Sequence, residues 1–131
     1  LSNGFAAAGP CTRMVLYEAA AHGLASVVSG ANLWEIAVAR NKYKNRATPM
    51  EARMSCEVGC GAVESGLKRS EANDLVKQIV SKYQDQAIDA PLGKTFQECY
   101  DVRRIAPTKE YVELYRTVKT ELQALGVHFQ Y

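Results

Sequence analysis

Cys56 and Cys60 are the residues of this chain whose spacing points most directly to chemistry. They lie four apart in a stretch with helical periodicity, so both sulfurs leave one face and could reach one metal ion. A structural zinc needs two further ligands, and Cys11, Cys99, His22 and His128 show no paired spacing to supply them. The pair is therefore read as small buried thiols, and no metal is assigned. A second candidate is the loop Arg40 to Arg46, where Arg40, Lys42, Lys44 and Arg46 place four positive charges in seven residues around Tyr43. It reads as a solvated surface loop or as a contact for an acidic partner or a phosphate-bearing group. It lacks the length and repeated aromatics of a platform for single-stranded nucleic acid. The run from Ala90 to Thr95, APLGKT, looks superficially like a phosphate loop, but the position five before Gly93 is Ile88, where that motif requires glycine, and no strand precedes it.

The opening LSNGFAAA reads either as a strand end followed by a loop or as a plain linker, with Ser2, Asn3 and Gly4 ahead of a helix start. In an α/β protein, the loop from the carboxyl end of a strand into a helix is where ligands are met. The elements that must position such a loop follow from the next run, GPCTRMVLYEAAAHGLASVVSG. Pro10 suits a first helical turn and Gly30 a left-handed stop, which predicts a helix from Pro10 to Ser29. Only Arg13 and Glu18 carry charge, and the large apolar residues keep to no single stripe, so this helix is expected to be enclosed on more than one side. A chain prepared alone would then expose an apolar surface, to be covered by strands from elsewhere or by another copy.

After Gly30, Leu33, Trp34, Ile36 and Val38 make a short apolar run, read as a strand near Trp34 to Ala39. Thr48, Pro49 and Glu51 form a capping box with proline at the first helical position, followed by Met50, Met54, Val58 and Ala62 on one face until Gly66. Ser70 is read as the cap of a third helix carrying Ala72, Leu75, Val76, Ile79, Val80 and Tyr83. Phe96, Tyr100 and Val102 are read as anchors of an irregular crossing. Pro107 and Thr108 open a last helix, with Tyr111, Leu114, Tyr115, Val118, Leu122 and Leu125 inward and Gly126 at its stop.

Four helices and at most two short strands cannot by themselves make a sheet that buries so apolar a first helix. The class is read as α/β: either the helix-rich carboxyl-terminal portion of a (β/α)8 barrel or a small helical bundle, the order of elements favouring the former. Residues 1–66 would supply two strand-helix units and residues 67–131 a helical extension. The 131 residues are 47% hydrophobic and 23% charged with a formal net charge of +2, ordinary values for a single soluble domain and no nucleic-acid footprint. The first helix is too short and too polar to span a membrane. Four cysteines in no framework pattern, with no signal-like segment, fit a reducing cytoplasm. Leu1 stands where a methionine would, so the chain reads as though cut from something longer.

The segments GPCTRMVLYEAAAHGLASVVSGAN, ATPMEARMSCEVGCGAV and above all APLGKTFQECYDVRRIAPTKEYVELYRTVKTELQALG resemble the carboxyl-terminal part of the monomethylamine methyltransferases of methanogenic archaea. The resemblance covers nearly the whole chain. It implies a (β/α)8 barrel several-fold longer, a homo-oligomer, and an upstream pyrrolysine whose imine orients methylamine for attack by the Co(I) corrinoid (cobalamin) of a separate partner protein. No pyrrolysine is among these residues, so the chain itself is expected to bind no cofactor and to be inactive alone. Asn3, Gly4 and Phe5 after the first strand, and Arg40, Asn41 and Tyr43 after the second, would face the barrel mouth as candidates to meet substrate or corrinoid; no catalytic role is assigned to any of them. The competing expectation is a helical interaction or oligomerisation module that catalyses nothing.

Overall fold

The computed structural model describes residues 1–32 and 34–129; Leu33, of the apolar run that opens the expected second strand, and residues 130–131, of the expected carboxyl-terminal extension, lie outside the described residues. The chain opens with β1 (Ser2–Phe5), α1 (Arg13–Val28) and β2 (Trp34–Ala37). The strands pair in parallel, with Ser2 opposite Trp34, Asn3 opposite Glu35, Gly4 opposite Ile36 and Phe5 opposite Ala37. Parallel strands need a crossover, and α1 is that crossover. Pairing continues beyond β1, where Ala6 N–H donates to the Ala37 carbonyl at 2.7 Å.

α1 starts at Arg13 and not at Pro10, because Cys11 has φ of 60°, outside right-handed helical geometry. Thr12 is the cap: its Oγ1 accepts from Val15 N–H at 3.2 Å and donates to the Gly9 carbonyl at 2.8 Å. Val15, Leu16, Ala19 and Ala20 are all fully buried, so the helix is covered around most of its girth. The expectation that an isolated chain leaves one side of α1 wet is overturned. The chain supplies the cover itself, from α2 (Pro49–Glu64), α3 (Arg69–Val80), α5 (Lys109–Ala124) and both strands.

α2 begins as the capping box predicts: Thr48 Oγ1 accepts from Met50 N–H at 3.1 Å and Glu51 Oε2 accepts from Thr48 N–H at 2.6 Å. Met50, Met54, Val58 and Ala62 are buried in register along its inner face. The small residues of α1 allow α2 to approach closely. A Cβ placed on Gly23 would lie 2.3 Å from the Ser55 carbonyl oxygen, backbone that has no rotamer to yield. Gly23→Ala is therefore expected to cost about 1–3 kcal/mol of unfolding free energy by denaturant titration, and a change below about 0.5 kcal/mol would show that the two helices part freely.

α3 is capped two residues earlier than Ser70 suggests. Lys68 is the flanking residue, its N–H donating to Glu71 Oε2 at 2.8 Å, and Ser70 sits inside the first turn. Ala72, Leu75 and Ile79 are buried as expected. The crossing segment adds a one-turn α4 (Phe96–Cys99) and an antiparallel ladder of two residues per strand, β3 (Tyr100–Asp101) with β4 (Ala106–Pro107). Phe96 and Tyr100 stack with ring centroids 5.1 Å apart, but Val102 is 57% exposed in the turn and anchors nothing. Thr108 caps α5, whose Tyr111, Tyr115, Val118 and Leu122 are buried, and Gly126, at φ of 99°, stops it.

Candidate functional site at the carboxyl ends of the strands

α1 covers one face of the two-stranded sheet. A Cβ on Gly4 would meet the His22 ring at 2.6 Å, and Ser26 Oγ donates to Ser2 Oγ at 3.0 Å. His22 Nε2–H donates to the Glu35 carbonyl at 2.9 Å, while burial holds the imidazole below its ordinary pKa and so neutral. Period-2 alternation then sends Asn3 and Phe5 to the opposite face, joined there by Glu35 opposite Asn3. All three are exposed, Phe5 at 68%.

Three segments build the rim beyond the strands. In the first, after β1, Glu18 of α1 accepts from the N–H groups of Ala7 at 2.8 Å and Ala8 at 3.1 Å. Burial raises this carboxyl, the two amides pulling only partly the other way. In the second, after β2, Ala39, Arg40 and Asn41 have φ of 50°, 58° and 51°, a left-handed turn of three consecutive residues with side chains. Such geometry costs about 1–2 kcal/mol per residue. The turn is held in place by Ala39 N–H to the Ala8 carbonyl at 2.8 Å and Arg40 N–H to the Ala6 carbonyl at 2.9 Å. It also ends β2 at Ala37, short of the expected Ala39.

The third segment is the one with a superficial phosphate-loop look, and it is a buttress. Gly9 N–H donates to the Pro91 carbonyl and Lys94 N–H to the Pro10 carbonyl, both at 2.9 Å. A Cβ on Gly9 would sit 1.8 Å from the Leu92 carbonyl oxygen. Arg46 Nη1 donates to the carbonyls of Leu92 at 2.8 Å and Gly93 at 2.7 Å, and Arg40 Nη2 to that of Ile88 at 2.6 Å.

The expected site residues are thus divided. Asn3 and Phe5 share the open face; Gly4 faces α1, where its missing side chain makes room for His22; Arg40 is turned toward Ile88; Asn41 and Tyr43 are exposed in the turn after β2. Glu35 went unnoticed in the sequence, and Glu18 was marked there as one of two charges in the first helix but given no place at the site. Alternation within WEIA would have found the first, and the isolation of an acid in an apolar helix the second.

A buried network under the start of α2 was also missed. Glu51 is 1% exposed; its Oε1 accepts from the Tyr111 hydroxyl and from Thr48 Oγ1, and its Oε2 from Thr48 N–H. Burial raises the Glu51 carboxyl despite these donors, and burial next to that carboxyl raises the Tyr111 hydroxyl. The network ties α2 to α5. Nearby, the buried Cys99 thiol is pushed up to about 12, by burial first and then by Cys11 and Glu51. The reading of Cys56 and Cys60 as buried thiols is corrected: Cys56 is exposed, Cys60 half-buried, and their sulfurs are 4.0 Å apart. Among the described residues, no group of three or more His, Cys, Asp or Glu side chains is placed to hold a metal ion. No helix among them is long and apolar enough to cross a membrane.

Comparison with known proteins places these features in a longer frame. The family model described as monomethylamine methyltransferase MtmB matches residues 2–127. The chain is 41% identical over 123 residues to monomethylamine methyltransferase MtmB1 of Methanosarcina barkeri, covering 93% of the chain and 26% of that relative. The MtmB of Methanosarcina mazei matches at 41% identity with the same coverage. The crystal structure of the Methanosarcina barkeri monomethylamine methyltransferase superposes with a TM-score of 0.91 at 40% identity, over 98% of this chain and 28% of that one. A crystal structure of the hydroxylamine MtmB complex matches with the same values. The chain spans about a quarter of the length of the curated relatives it matches.

Proposed function

This chain belongs to the monomethylamine methyltransferase MtmB family, and from that premise we propose that it is the carboxyl-terminal part of an enzyme that moves the methyl group of monomethylamine to the Co(I) corrinoid of a partner protein. The observation that carries this reading is the bare sheet face. Among the described residues, helices cover one side of the β1–β2 pair, and Asn3, Phe5 and Glu35 stand exposed on the other, the arrangement of two neighbouring barrel strands whose inner face is closed by the rest of a (β/α)8 ring. The rim at the carboxyl ends, where barrels keep their chemistry, is built from the three interlocked segments and includes the left-handed turn at Ala39 to Asn41. Backbone in so sparsely populated a region is kept when its surroundings over-determine it, and it clusters at functional sites.

Methyl transfer from nitrogen requires that the departing amine be protonated or hydrogen-bonded, since a neutral amine cannot leave as an amide ion. Glu35 and Asn3 offer an acidic and an amide group to that task on one face. Phe5 beside them supplies an apolar wall for the methyl group, and Glu18 fixes the loop behind Phe5 through Ala7 and Ala8. The exposed Lys42, Tyr43 and Lys44 at the rim offer a contact for the partner protein. The pyrrolysine of such enzymes is not in these 131 residues, so the reading includes that the chain alone turns nothing over. We place the complete enzyme in the cytoplasm as a homo-oligomer.

A chimaera tests this reading. Replacing the matching quarter of the Methanosarcina barkeri relative by this chain is expected to preserve methyl-cobalt formation from monomethylamine and reduced corrinoid protein, while the isolated chain stays at the partner-only control. A folded chimaera without turnover, or turnover by the chain alone, overturns it. The alternative of a non-catalytic interaction module draws on one observation, that α1 is enclosed by the chain's own helices, which favours independent folding; a folded but inactive chimaera is the result it expects.

A further inference from the structure

We propose that Cys56 and Cys60 form a two-thiolate site for a soft, low-coordination d10 cation of the Cu(I) class, on the flank of α2 and independent of the methyl-transfer reading. The two sulfurs leave consecutive turns of one helix and stand 4.0 Å apart, in contact with each other. With the zinc–thiolate bond of about 2.3 Å as the yardstick for a d10 ion, two thiolates are separated by about 3.8 Å when they span a tetrahedral edge and by about 4.6 Å when they are collinear with the metal. The observed gap lies between these limits, so side-chain rotation alone adapts it to an ion, with no change in the helix. Cys56 is exposed and Cys60 half-buried, so the pair is reachable; Cys60 also lines a cleft of about 540 Å³ between α2 and the residues that follow α1.

The choice of ion follows from the ligand set. Thiolates select soft ions, and a closed zinc site would need a fuller set of side chains than this surface holds: no cluster of three or more candidate ligands is present among the described residues. A cation satisfied by two sulfurs is what remains. Binding converts two thiols and one Cu(I) into a bis-thiolate complex, releases two protons and leaves the copper oxidation state unchanged. Uptake therefore strengthens as pH rises.

The test is anaerobic competition of the full chain against bathocuproine disulfonate loaded with Cu(I), with ascorbate as the reductant and thiol titration to verify that the cysteines are reduced. One equivalent per chain is expected to leave the chelator. Cys56→Ser and Cys60→Ser should each abolish that transfer with the circular dichroism spectrum unchanged, and Cys11→Ser should retain it. The proposal is overturned if reduced chain takes no copper, if either single variant still takes a full equivalent, or if Zn(II) is retained through gel filtration in preference to Cu(I).

Discussion

Glu51→Ala is expected to lower the unfolding free energy by about 3–5 kcal/mol, read from the midpoint of a denaturant titration. The carboxylate is the shared acceptor for the Tyr111 hydroxyl, Thr48 Oγ1 and Thr48 N–H. Removing it strands three donors among buried groups, each such loss costing about 1–3 kcal/mol where water cannot enter. It also removes half of the capping box at the start of α2. Tyr111→Phe deletes one donor and leaves the acceptor with two, so about 1.5–3 kcal/mol is expected there. Because the two residues touch, the double variant should cost less than the sum of the singles.

The same residue sets a pH signature. Burial raises the Glu51 carboxyl above its ordinary value, so the folded chain holds that proton more tightly than the unfolded one. Its contribution to stability is complete below the ordinary carboxyl range and is lost as pH rises through the raised value. Glu57 runs the opposite way. Burial pushes its carboxyl up, but Arg53 at 2.6 Å and Lys119 at 3.0 Å outweigh that and hold it below the ordinary range. Its contribution is present above that range and fades as pH falls. In Glu51→Gln the first dependence disappears and the second remains, so the stability gap between wild type and variant should narrow or reverse on going from acid to neutral pH; a gap independent of pH would show that Glu51 titrates alike in both states.

Leu16→Glu is expected to prevent folding, a cost above about 4 kcal/mol, because Leu16 is fully buried on a helix enclosed by the chain's own helices, where a charge loses its hydration. Val27→Glu should cost about 1 kcal/mol, since Val27 is half-buried beside the open cleft and its new carboxylate reaches water. Circular dichroism and sedimentation separate the outcomes. A folded monomeric Leu16→Glu chain would mean that this side of α1 faces solvent, and an unfolded Val27→Glu chain would mean that the cleft is closed.

Much of this architecture is visible in residue order because its causes are local. Thr48, Pro49 and Glu51 satisfy the donors at a helix start within four residues, and the periodicity of Met50, Met54, Val58 and Ala62 states which face turns inward. Thr108 and Gly126 bound the last helix in the same way. The misplaced boundaries have equally local causes that composition hides. Pro10 lies in a loop because Cys11 turns left-handed, and Ser70 yields the cap to Lys68 because Glu71 reaches back to that backbone.

The candidate site was less legible. Residue types marked the loops after both strands, yet Arg40 points to Ile88, Gly4 makes room for His22, and Glu35 joins Asn3 only through the parallel register. Glu51 carried a clear local role as a cap, with nothing nearby in sequence to announce that Tyr111, sixty residues on, would donate to it. Helix caps and periodic faces are settled by neighbours within a turn or two, and the chain order carries them. Which partner covers α1, which carbonyl takes an arginine, and which face of two paired strands stays bare depend on contacts between distant residues, and only close packing in three dimensions decides them.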